Sequence, residues 1–358
     1  MRIQGIWIGK SKVMSRIVTF GEIMLRLKSP DNQRLFQSPE LEATFGGGEA
    51  NVAVSLATLG KETAFVTSLP DNPIGQGAFN ELRRYGVDTK FIRKEKNGRL
   101  GIYFLENGSC SRPSSVIYDR ADSCISKVKT ADFDWDMILK DTNWFHITGI
   151  TPAISQNAAD VALDAVLQAK KFGVTVSIDL NYRKKLWNYG KTAPEVMCTL
   201  AENADVLIAN EEDIQKCLDI KAPSVDVTKG NLEAKDYKML TEKVKLKFPD
   251  VKVVAVTLRE SISADKNGWS AVLSGKDGFL TSKKYIVEDI VDRVGGGDAF
   301  SAGLIYGLQE YADDEQFALD FATAASCLKH TIPGDFNLSA KQEILTLMNG
   351  DGSGRVQR

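Results

Sequence analysis

Histidine is scarce in this chain, and its scarcity excludes several kinds of active site. The 358 residues contain two histidines, His146 and His330. A metal site built from several histidines is therefore excluded. A Ser/His/Asp triad would have very few ways to form, because one of these two imidazoles would have to be its base.

Cysteine is also sparse, and its spacing excludes the common zinc and redox motifs. The five cysteines are scattered, odd in number, and include no CxxC pair. They are Cys110, Cys124, Cys198, Cys217 and Cys327. Isolated thiols of this kind fit a reducing compartment, so we expect the protein to be cytoplasmic.

Excess charge and long apolar runs are missing as well. The formal net charge is −2, which predicts no general attraction to nucleic acid or to an anionic membrane. Every apolar run is interrupted well before the ~20 residues that a membrane span requires. Hydrophobic residues make up 43% of the chain and charged residues 26%, which is typical of a globular protein. We therefore expect a folded protein with a small-molecule partner.

Both ends of the sequence lie outside the regular strand and helix patterns. Residues 1–14 are interpreted as an N-terminal appendage and residues 349–358 as a C-terminal tail. The apolar part of the appendage, Ile6–Ile8, is too short for a secretory signal. Gly5–Ser11 resembles a Walker A loop, but it has three residues between its glycines instead of four. No strand pattern precedes it either, so we discard that interpretation.

The stretch Asp292–Phe300 carries the clearest functional pattern. Gly295, Gly296 and Gly297 free the backbone to point successive N–H groups at one spot, and the helix that follows adds the positive end of its dipole. Such a turn is expected to bind an anion. Asp298 lies in the first turn of that helix, where an acid beside a phosphate site suggests a base. The alternative is an ordinary loop followed by an N-terminal helix charge.

A second glycine-rich turn opens another helix, at Gly46–Ala53. Small residues continue through Ala57, and Gly60 provides the stop expected at a helix end. Both glycine turns lack the third glycine of the dinucleotide fingerprint, because Asn51 and Phe300 occupy its place. A nicotinamide-dependent oxidoreductase is disfavoured accordingly.

The order of the elements predicts an α/β fold. Strand and helix patterns alternate from residue 144 to residue 208, which is the rhythm of a parallel sheet with crossover helices. Val251–Leu258 is an almost continuous apolar run, typical of a strand in the centre of a sheet. Short strand-like pieces between residues 97 and 118 suggest a small separate sheet. The polar stretch Ala222–Asp236 is interpreted as a surface loop.

With both glycine turns in place, the chain resembles the ribokinase-like (PfkB-type) carbohydrate kinases. Gly47–Ala53 is similar to the N-terminal signature of that family, and Asp292–Phe300 is similar to its C-terminal signature. The resemblance implies one kinase domain, residues 15–348. It implies a ribokinase-like α/β fold, with a doubly wound, mostly parallel sheet flanked by helices. A small β-sheet lid would be formed by about residues 22–45 and 97–122.

The resemblance also assigns roles to the C-terminal turn. In such a kinase, the backbone N–H groups of Gly295, Gly296 and Gly297 would hold the transferred phosphoryl group. Asp298 would take the proton from the sugar hydroxyl as general base. ATP and Mg²⁺ are implied, with Gly295 and Gly297 also contacting the nucleotide. No dedicated metal site made of protein side chains is predicted.

Two further segments would serve the nucleotide. Asn210 and Asp213 follow a strand where the family has an Asn-x-x-Glu motif, although the last acid is Asp in this chain. A helix cap with acidic residues in the first turn explains them equally well. Arg259 follows a strand where many relatives have a glycine-rich nucleotide loop, and an ordinary surface arginine is the alternative. His330 is interpreted as part of the wall on the nucleotide side, and His146 as a core residue.

Within the family, several segments resemble the 2-keto-3-deoxygluconate kinases. They are Gly48–Asn51, Ile147–Ala153, Asp179–Arg183 and Lys329–Asn337. The acceptor of those kinases carries a carboxylate, and a site for it needs fixed positive charge. Arginine supplies paired donors that match the geometry of a carboxylate.

The predicted sugar site combines both glycine turns with the lid. Arg120 and Arg183 would bind the carboxylate, and Tyr103 and Tyr118 would close over the sugar. Packing on a strand face is the alternative for the tyrosines, and a solvated loop position is the alternative for Arg183. Arg26 stands in a region where many relatives for neutral sugars have an acid, which agrees with an anionic acceptor. The full set is Gly47, Gly48, Asn51, Tyr103, Tyr118, Arg120, Arg183, Asp298 and Asp335.

We therefore predict an ATP-dependent kinase for the terminal hydroxyl of 2-keto-3-deoxygluconate. One alternative is a fructokinase or another ketose kinase of the same family. Another is a non-catalytic sugar-binding relative, which the retained Asp298 disfavours. The predicted partners are a sugar acid and ATP, without nucleic acid or membrane. An exposed β lid commonly offers edges for pairing, so we also predict a homodimer through the lid.

Overall fold

The structure is a computed structural model that describes residues 16–221 and 234–350. The predicted appendage, residues 1–14, lies outside the described residues, as do most of the predicted tail and most of the loop predicted for Ala222–Asp236. The last residues of that loop are described, and they begin a helix. The loop prediction is wrong for those residues.

Strands alternate with helices along most of the chain. The described strands are β1 (Arg16–Phe20), β2 (Met24–Lys28), β3 (Glu42–Gly46), β4 (Thr63–Pro70), β5 (Ile92–Glu95), β6 (Ile102–Glu106), β7 (Ser115–Asp119), β8 (Thr142–Thr148), β9 (Thr175–Asp179), β10 (Val206–Ala209), β11 (Val253–Ser261), β12 (Asn267–Gly275), β13 (Gly278–Thr281) and β14 (Tyr285–Val287). The described helices are α1 (Gly48–Thr58), α2 (Pro73–Arg84), α3 (Trp135–Leu139), α4 (Ile150–Ile154), α5 (Gln156–Lys171), α6 (Ala193–Ala201), α7 (Glu211–Leu218), α8 (Ala234–Lys247), α9 (Gly296–Glu310), α10 (Glu315–Lys329) and α11 (Lys341–Met348).

A large, mostly parallel sheet forms the centre of the molecule. Its order is β13-β12-β11-β10-β9-β8-β1-β4-β5, and β14 pairs with β12. The strands from β5 to β11 pair in parallel, whereas β12 pairs antiparallel with β11, β13 and β14. Central strands such as β4 and β10 are buried along their whole length, and β10 is a continuous apolar run, as is typical of a strand covered on both faces.

Helices cover both faces of this sheet, as predicted for a doubly wound fold. One apolar core lies between the sheet and a layer that includes α5, α6 and α8. A second core lies on the other face, beneath α9, α10 and α11. Helices α9 and α10 approach closely because glycines face the second helix. A Cβ on Gly303 would lie 2.7 Å from Cα of Ala322, and one on Gly307 would lie 2.5 Å from Cα of Ala318. This contact fixes the axis of α9, whose first turn carries Asp298.

A separate four-stranded sheet of order β3-β2-β6-β7 forms the lid. Its strands come from the two segments that the sequence predicts, residues 22–45 and 97–122, with β3 ending one residue later, at Gly46. The central pair β2 and β6 is parallel, and the outer pairs are antiparallel. Two separate segments therefore build the lid.

Strand β11 is longer than the sequence pattern indicates. It continues past Leu258 to Ser261 and pairs antiparallel with β12 in an unbroken register from Val254 to Ser261. Arg259 therefore lies on this strand, whereas the sequence pattern predicts it after one. In the described residues, no helix combines the length and the hydropathy needed to cross a membrane.

Candidate active site

A cavity of about 1200 Å³ lies between the lid, the carboxyl ends of the central strands and the first turns of α1 and α9. Every residue that the sequence predicts for the site lines this cavity. They are Gly47, Gly48, Asn51, Tyr103, Tyr118, Arg120, Arg183, Asn210, Asp213, Arg259, Gly295, Gly296, Gly297, Asp298 and Asp335. A crevice at the carboxyl ends of strands is where open α/β sheets bind their ligands.

The two glycine turns meet at Asp298. The side chain of Asn51 closes on its own turn, since its Oδ1 accepts a hydrogen bond from the N–H of Gly47 at 3.1 Å. Its Nδ2 donates to Oδ2 of Asp298 at 2.6 Å. A Cβ on Gly48 would lie 3.6 Å from Oδ1 of Asp298, so the backbone of α1 also approaches the carboxylate. The interpretation of Asp298 as an isolated helix charge is therefore not supported.

Asp298 has the environment of a base that works near neutral pH. Its exposed fraction is 8%. Burial raises its pKa to about 6, and the hydrogen bond from Asn51 opposes that rise. The carboxyl group is therefore largely ionised at pH 7, yet its pKa is close enough to accept a proton efficiently.

The turn before α9 presents N–H groups to the cavity. Gly295 has a φ of 85°, which favours glycine, and a Cβ there would lie 2.0 Å from the carbonyl oxygen of Asp335. The N–H of Gly296 donates to the carbonyl of Arg293 at 3.2 Å. Within the described chain, no protein acceptor is hydrogen-bonded to the backbone N–H groups of Gly297 and Asp298. A Cβ on Gly297 would meet open space, so room for an anion lies beside these donors.

Asn210 and Asp213 form a reciprocal helix cap at the start of α7. The Oδ1 atom of Asn210 accepts from the N–H of Asp213 at 2.8 Å, and Oδ2 of Asp213 accepts from the N–H of Asn210 at 3.1 Å. Oδ1 of Asp213 also accepts from the N–H of Tyr182 at 2.9 Å. Burial raises the pKa of Asp213 to about 6. The capping interpretation describes this pair, and both residues still face the cavity.

The edge of the cavity near β11 contains Arg259, Trp269 and His330. Arg259 lies on β11 opposite Trp269 of β12, and the Trp269 ring lies 5.2 Å from the His330 ring. The Nδ1 atom of His330 is 2.7 Å from the carbonyl of Ser326, and burial lowers the pKa of this imidazole to about 4. A neutral histidine beside a tryptophan forms part of a wall. The other histidine, His146, is fully buried on β8.

Tyr103 and Asp335 connect the lid to the core. The hydroxyl of Tyr103 donates to the carboxylate of Asp335, 2.6 Å from Oδ1 and 2.7 Å from Oδ2. Arg26 donates from Nη1 to Oδ1 of Asp335 at 2.6 Å, and from Nη2 to Asp292. Two carboxylates therefore neutralise the buried Arg26. The expectation that its charge favours an anionic acceptor is not supported.

The other lid arginine is paired as well. Nε of Arg120 donates to Oε2 of Glu22 at 2.8 Å, and its Nη2 contacts the same oxygen. The guanidinium lies 5.5 Å from the centroid of the Tyr118 ring, which is 38% exposed. A cation over an aromatic face gains about 0.5–2 kcal/mol. Arg120 thus has a fixed position at the cavity, and Glu22 balances much of its charge.

Arg183 differs from these two arginines. It is exposed, and its Nη1 donates to the carbonyl of Tyr182 at 3.0 Å. Among the described residues, no carboxylate lies within ion-pair distance of it. Its charge lowers the pKa values of Asp179, Asp213 and Asp298, although burial dominates each of them. It is therefore a cation that faces the cavity with donors available.

Three buried acids of the cavity escaped the sequence-based prediction. Glu49 accepts from the hydroxyls of Thr148 and Thr151 at 2.9 and 2.7 Å, and burial raises its pKa to about 7. Burial raises the pKa of Asp179 well above its usual value, and the nearby acids add to that shift. Glu22 is the third. Both Glu49 and Asp179 lie in segments that carry the family resemblance, which is the signal that points to them.

Comparisons with known proteins show which proteins this chain is similar to. The model of the pfkB family carbohydrate kinases matches residues 14–339. A relative from Haloferax volcanii named 2-dehydro-3-deoxygalactonokinase is 32% identical over 340 residues, 95% of this chain and 98% of its own length. A 2-dehydro-3-deoxygluconokinase from Bacillus subtilis is 27% identical over 337 residues, 93% and 95% of the two chains.

A solved structure is also similar over almost its whole length. The crystal structure of a 2-dehydro-3-deoxygluconokinase from Thermotoga maritima has a TM-score of 0.88 and 47% identity. The match covers 94% of this chain and 100% of that one. Family model, relatives and fold agree, and the ribokinase-like fold predicted from the sequence is confirmed. The chain belongs to the pfkB family of carbohydrate kinases.

Proposed function

We propose that this kinase transfers the γ-phosphoryl group of ATP to the terminal hydroxyl of 2-keto-3-deoxygluconate. The observation that carries the proposal is the hydrogen bond between Asn51 and Asp298, which joins the two glycine turns at one carboxylate. A sugar over the Gly47 turn and a phosphoryl group at the Gly295 turn would meet there.

Asp298 acts as the general base. The hydrogen bond from Asn51 holds Oδ2, which leaves Oδ1 to receive the proton of the acceptor hydroxyl. The pKa of about 6 keeps the carboxylate ionised at neutral pH. Such a base contributes about 10²–10⁴-fold in rate.

The backbone N–H groups of Gly297 and Asp298 hold the transferred phosphoryl group, with Gly295 completing the turn. They lie at the N-terminus of the fifteen-residue helix α9, whose dipole adds positive potential there. Fixed donors of this kind need no rearrangement as charge develops in the transition state. The N–H of Gly296 serves the turn itself, since Arg293 already accepts from it.

ATP would extend from this turn toward Arg259 and the wall of Trp269 and His330. Mg²⁺, when bound with ATP, neutralises phosphate charge. In the described residues, no cluster of three or more acidic, histidine or cysteine side chains is arranged to hold a metal. The phosphates of ATP and water would therefore supply most ligands of Mg²⁺, and Asp213 would contact it through water at most.

Arg183 and Arg120 would recognise the carboxylate of the sugar acid. Arg183 has the stronger case, because its guanidinium is not neutralised by a described carboxylate, whereas Glu22 pairs with Arg120. The relatives from Haloferax volcanii, Bacillus subtilis and Thermotoga maritima are named for acids of this class. The two acids, 2-keto-3-deoxygluconate and 2-keto-3-deoxygalactonate, differ in the configuration of one hydroxyl. Both therefore belong in any test.

The test is ADP formation with a panel of acceptors. The panel holds 2-keto-3-deoxygluconate, 2-keto-3-deoxygalactonate, gluconate, fructose and ribose. We expect turnover with the 2-keto-3-deoxy acids and little with fructose. Turnover of neutral ketoses alone would favour a fructokinase instead. A rise in melting temperature with a sugar but no turnover would favour a non-catalytic binding protein.

Arg183→Ala sharpens this test. It should raise the KM for the sugar acid selectively over the KM for ATP. The exposed neighbour Lys184 supplies the matched control, since Lys184→Ala removes the same charge one position away. Equal effects on both substrates, or equal effects of both variants, would place Arg183 away from the carboxylate.

Location and assembly are also part of the proposal. We propose a cytoplasmic enzyme that pairs through its lid. The outer strand β7 is mostly exposed, and Ile117 on it is an exposed apolar residue. Sedimentation of the wild type and of Ile117→Lys would test this pairing, because a charge in a symmetric contact should shift the dimer toward monomer. A monomeric wild type would contradict it.

A further inference from the structure

The central lid strand β2 has an inverted pattern of burial. Met24, Arg26 and Lys28 lie on its buried face, whereas Leu25 and Leu27 are half-buried. Arg26 is 1% exposed, which places an arginine at a core position. Burying a guanidinium is costly unless partners satisfy it, so this position requires specific acceptors.

Both partners of Arg26 lie beside the turn that precedes α9, residues 293–297, which we call the anion-binding turn. Nη2 contacts Oδ2 of Asp292, and Nη1 contacts Oδ1 of Asp335 at 2.6 Å. The two ends of one guanidinium fork therefore hold two carboxylates that are far apart in sequence. Arginine suits this role because its donors are fixed in one plane.

Asp292 in turn shapes the backbone of that turn. Its Oδ1 accepts from the N–H of Val294 at 3.1 Å, and its Oδ2 accepts from the N–H of Gly334 at 3.1 Å. The carbonyl of Asp335 packs against Gly295, where a Cβ would lie 2.0 Å away. The carboxylates that Arg26 holds thus belong to the two strips of backbone that set the conformation of the glycine turn.

An apolar contact joins the same two regions independently. Met24, Tyr103 and Leu105 form a small cluster inside the lid. Val294, the residue before Gly295, packs against this cluster. The turn is therefore attached to the lid by one apolar contact as well as by the ion pairs.

Lys329 supports the opposite side of the turn. It is fully buried, and its Nζ donates to the carbonyls of Ile332 and Asp292 at 3.1 and 3.3 Å. Its Cε would lie 3.3 Å from a Cβ on Gly295. The charged side chains around the turn are thus two cations, Arg26 and Lys329, and two carboxylates, Asp292 and Asp335. Removing Arg26 leaves one cation to balance both acids.

We propose that Arg26 is a positioning residue that couples the lid to the anion-binding turn. Arg26 is buried and is not among the residues that line the cavity. It holds Asp292 and Asp335, and these hold Val294, Gly334 and Gly295 in the arrangement that aims the N–H groups at the phosphoryl group. Efficient phosphoryl transfer then requires that the lid strand β2 holds both carboxylates. This inference rests on the proposed kinase function.

The first experiment compares Arg26→Met with the wild type. Methionine keeps an apolar stem of similar length but removes both donors. At saturating sugar and ATP we expect kcat to fall about 10²-fold, because a small misplacement of a transition-state donor costs about that much. The KM for ATP should stay close to that of the wild type. Arg26→Lys should give an intermediate kcat, since one ammonium cannot replace the two-pronged fork.

A matched control separates this effect from the loss of any lid ion pair. Arg99 is a lid arginine that binds Asp119 at 2.8 Å, away from the turn. Arg99→Met should leave kcat unchanged. A comparable loss of kcat in Arg99→Met would overturn the proposal.

A double variant separates positioning from simple stability. In Arg26→Met, Asp292 is left buried without its partner, so the melting temperature should fall. Asp292→Asn in the same chain removes that charge and should restore much of the melting temperature, while kcat stays low because the lid is still disconnected. If kcat returns together with the melting temperature, Arg26 is merely structural and the proposal fails.

Amide hydrogen exchange tests the coupling without any turnover. Peptides covering residues 292–300 should exchange faster in Arg26→Met than in the wild type or in Arg99→Met. Unchanged exchange in that segment would overturn the coupling, whether or not the enzyme is active. If the wild type phosphorylates no acceptor but the exchange still responds to Arg26, the proposed function fails and the coupling stands.

Discussion

The two glycine turns of this kinase have similar sequences but different environments. At Gly47 the turn is closed by its own helix, because Asn51 accepts a hydrogen bond from the N–H of Gly47. At Gly297 the turn is open: no acceptor in the described chain takes up its N–H group, and an added Cβ would have no atom within 4 Å. The same local motif therefore stabilises the start of a helix at Gly47, whereas at Gly297 it leaves a backbone N–H group available to an anion. Both turns are followed by an acid, but three residues after the last glycine the first turn has Asn51, which closes it, and the second has Phe300.

Replacing the carboxylate of Asp298, where the two turns meet, should have the largest effect on turnover. Asp298→Asn keeps the shape of the side chain but removes the base, so kcat should fall about 10²–10⁴-fold. Steady-state ADP formation measures it. Binding of the sugar and of ATP, measured by calorimetry, should persist. Wild-type turnover in this variant would exclude Asp298 as the base.

Alanine substitutions at two glycines of the second turn should have different effects on stability and on turnover. Gly295→Ala forces a side chain into a positive φ and against the carbonyl of Asp335, and should lower the free energy of unfolding by roughly 2–5 kcal/mol. Gly297→Ala meets open space, so its stability should hold while its kcat falls, because the methyl group occupies the anion site. Denaturant unfolding and turnover measured on both variants provide the check. Equal stability of the two would contradict the geometry.

The burial of Asp298 should have a pH-dependent cost in stability. Its pKa is 3.8 in an unfolded chain and about 6 in the fold, so the unfolded state releases its proton first as pH rises. The resulting destabilisation is absent below pH 3.8, develops up to pH 6 and then stays constant at roughly 3 kcal/mol. Asp298→Asn should therefore be more stable than the wild type at pH 8, and the gain should shrink toward pH 4. A gain independent of pH would contradict the raised pKa.

Loss of the hydrogen bond between Asn51 and Asp298 should have the smallest effect among these substitutions. In Asn51→Ala the hydrogen bond that lowers the pKa of Asp298 is gone, so the acid limb of the pH profile of kcat/KM should move upward from about 6. We expect about a tenfold loss of kcat at pH 7, since one charge-assisted hydrogen bond contributes roughly 1.5–3 kcal/mol. Thr58→Ala, at the far end of α1, serves as the control. An unshifted profile would mean that Asn51 does not orient the base.

The sequence predicts much of this site because the informative residues are local. Each glycine turn and the acid after it occupy a few consecutive positions. The pattern itself points to Asp298, and the family resemblance adds Asn51. The lid segments are also local, since short strands between turn residues mark them. The large sheet follows from the regular alternation of strands and helices.

Pairings between distant residues could not be predicted in the same way. Arg26 and Asp292 are separated by 266 positions, and Arg120 and Glu22 by 98. Nothing in either local pattern specifies that these charges neutralise each other. For that reason the sequence could not show that the charge of Arg26 is neutralised inside the protein. Arg259 lies on a strand instead of after one because β12 supplies backbone partners to β11, which is again a tertiary effect.

The parallel pairing of β2 with β6 has a consequence for how the chain folds. Leu25 pairs with Ile102, and the residues between them form β3, α1, β4, α2 and β5. A parallel pair cannot close as a hairpin, so the lid cannot assemble before that whole crossover is in place. During synthesis Arg26 cannot form its ion pair with Asp292 until much later, because Asp292 leaves the ribosome 266 residues after it. An early lid is thus an incomplete sheet, and the active site is completed only when the last third of the chain has emerged.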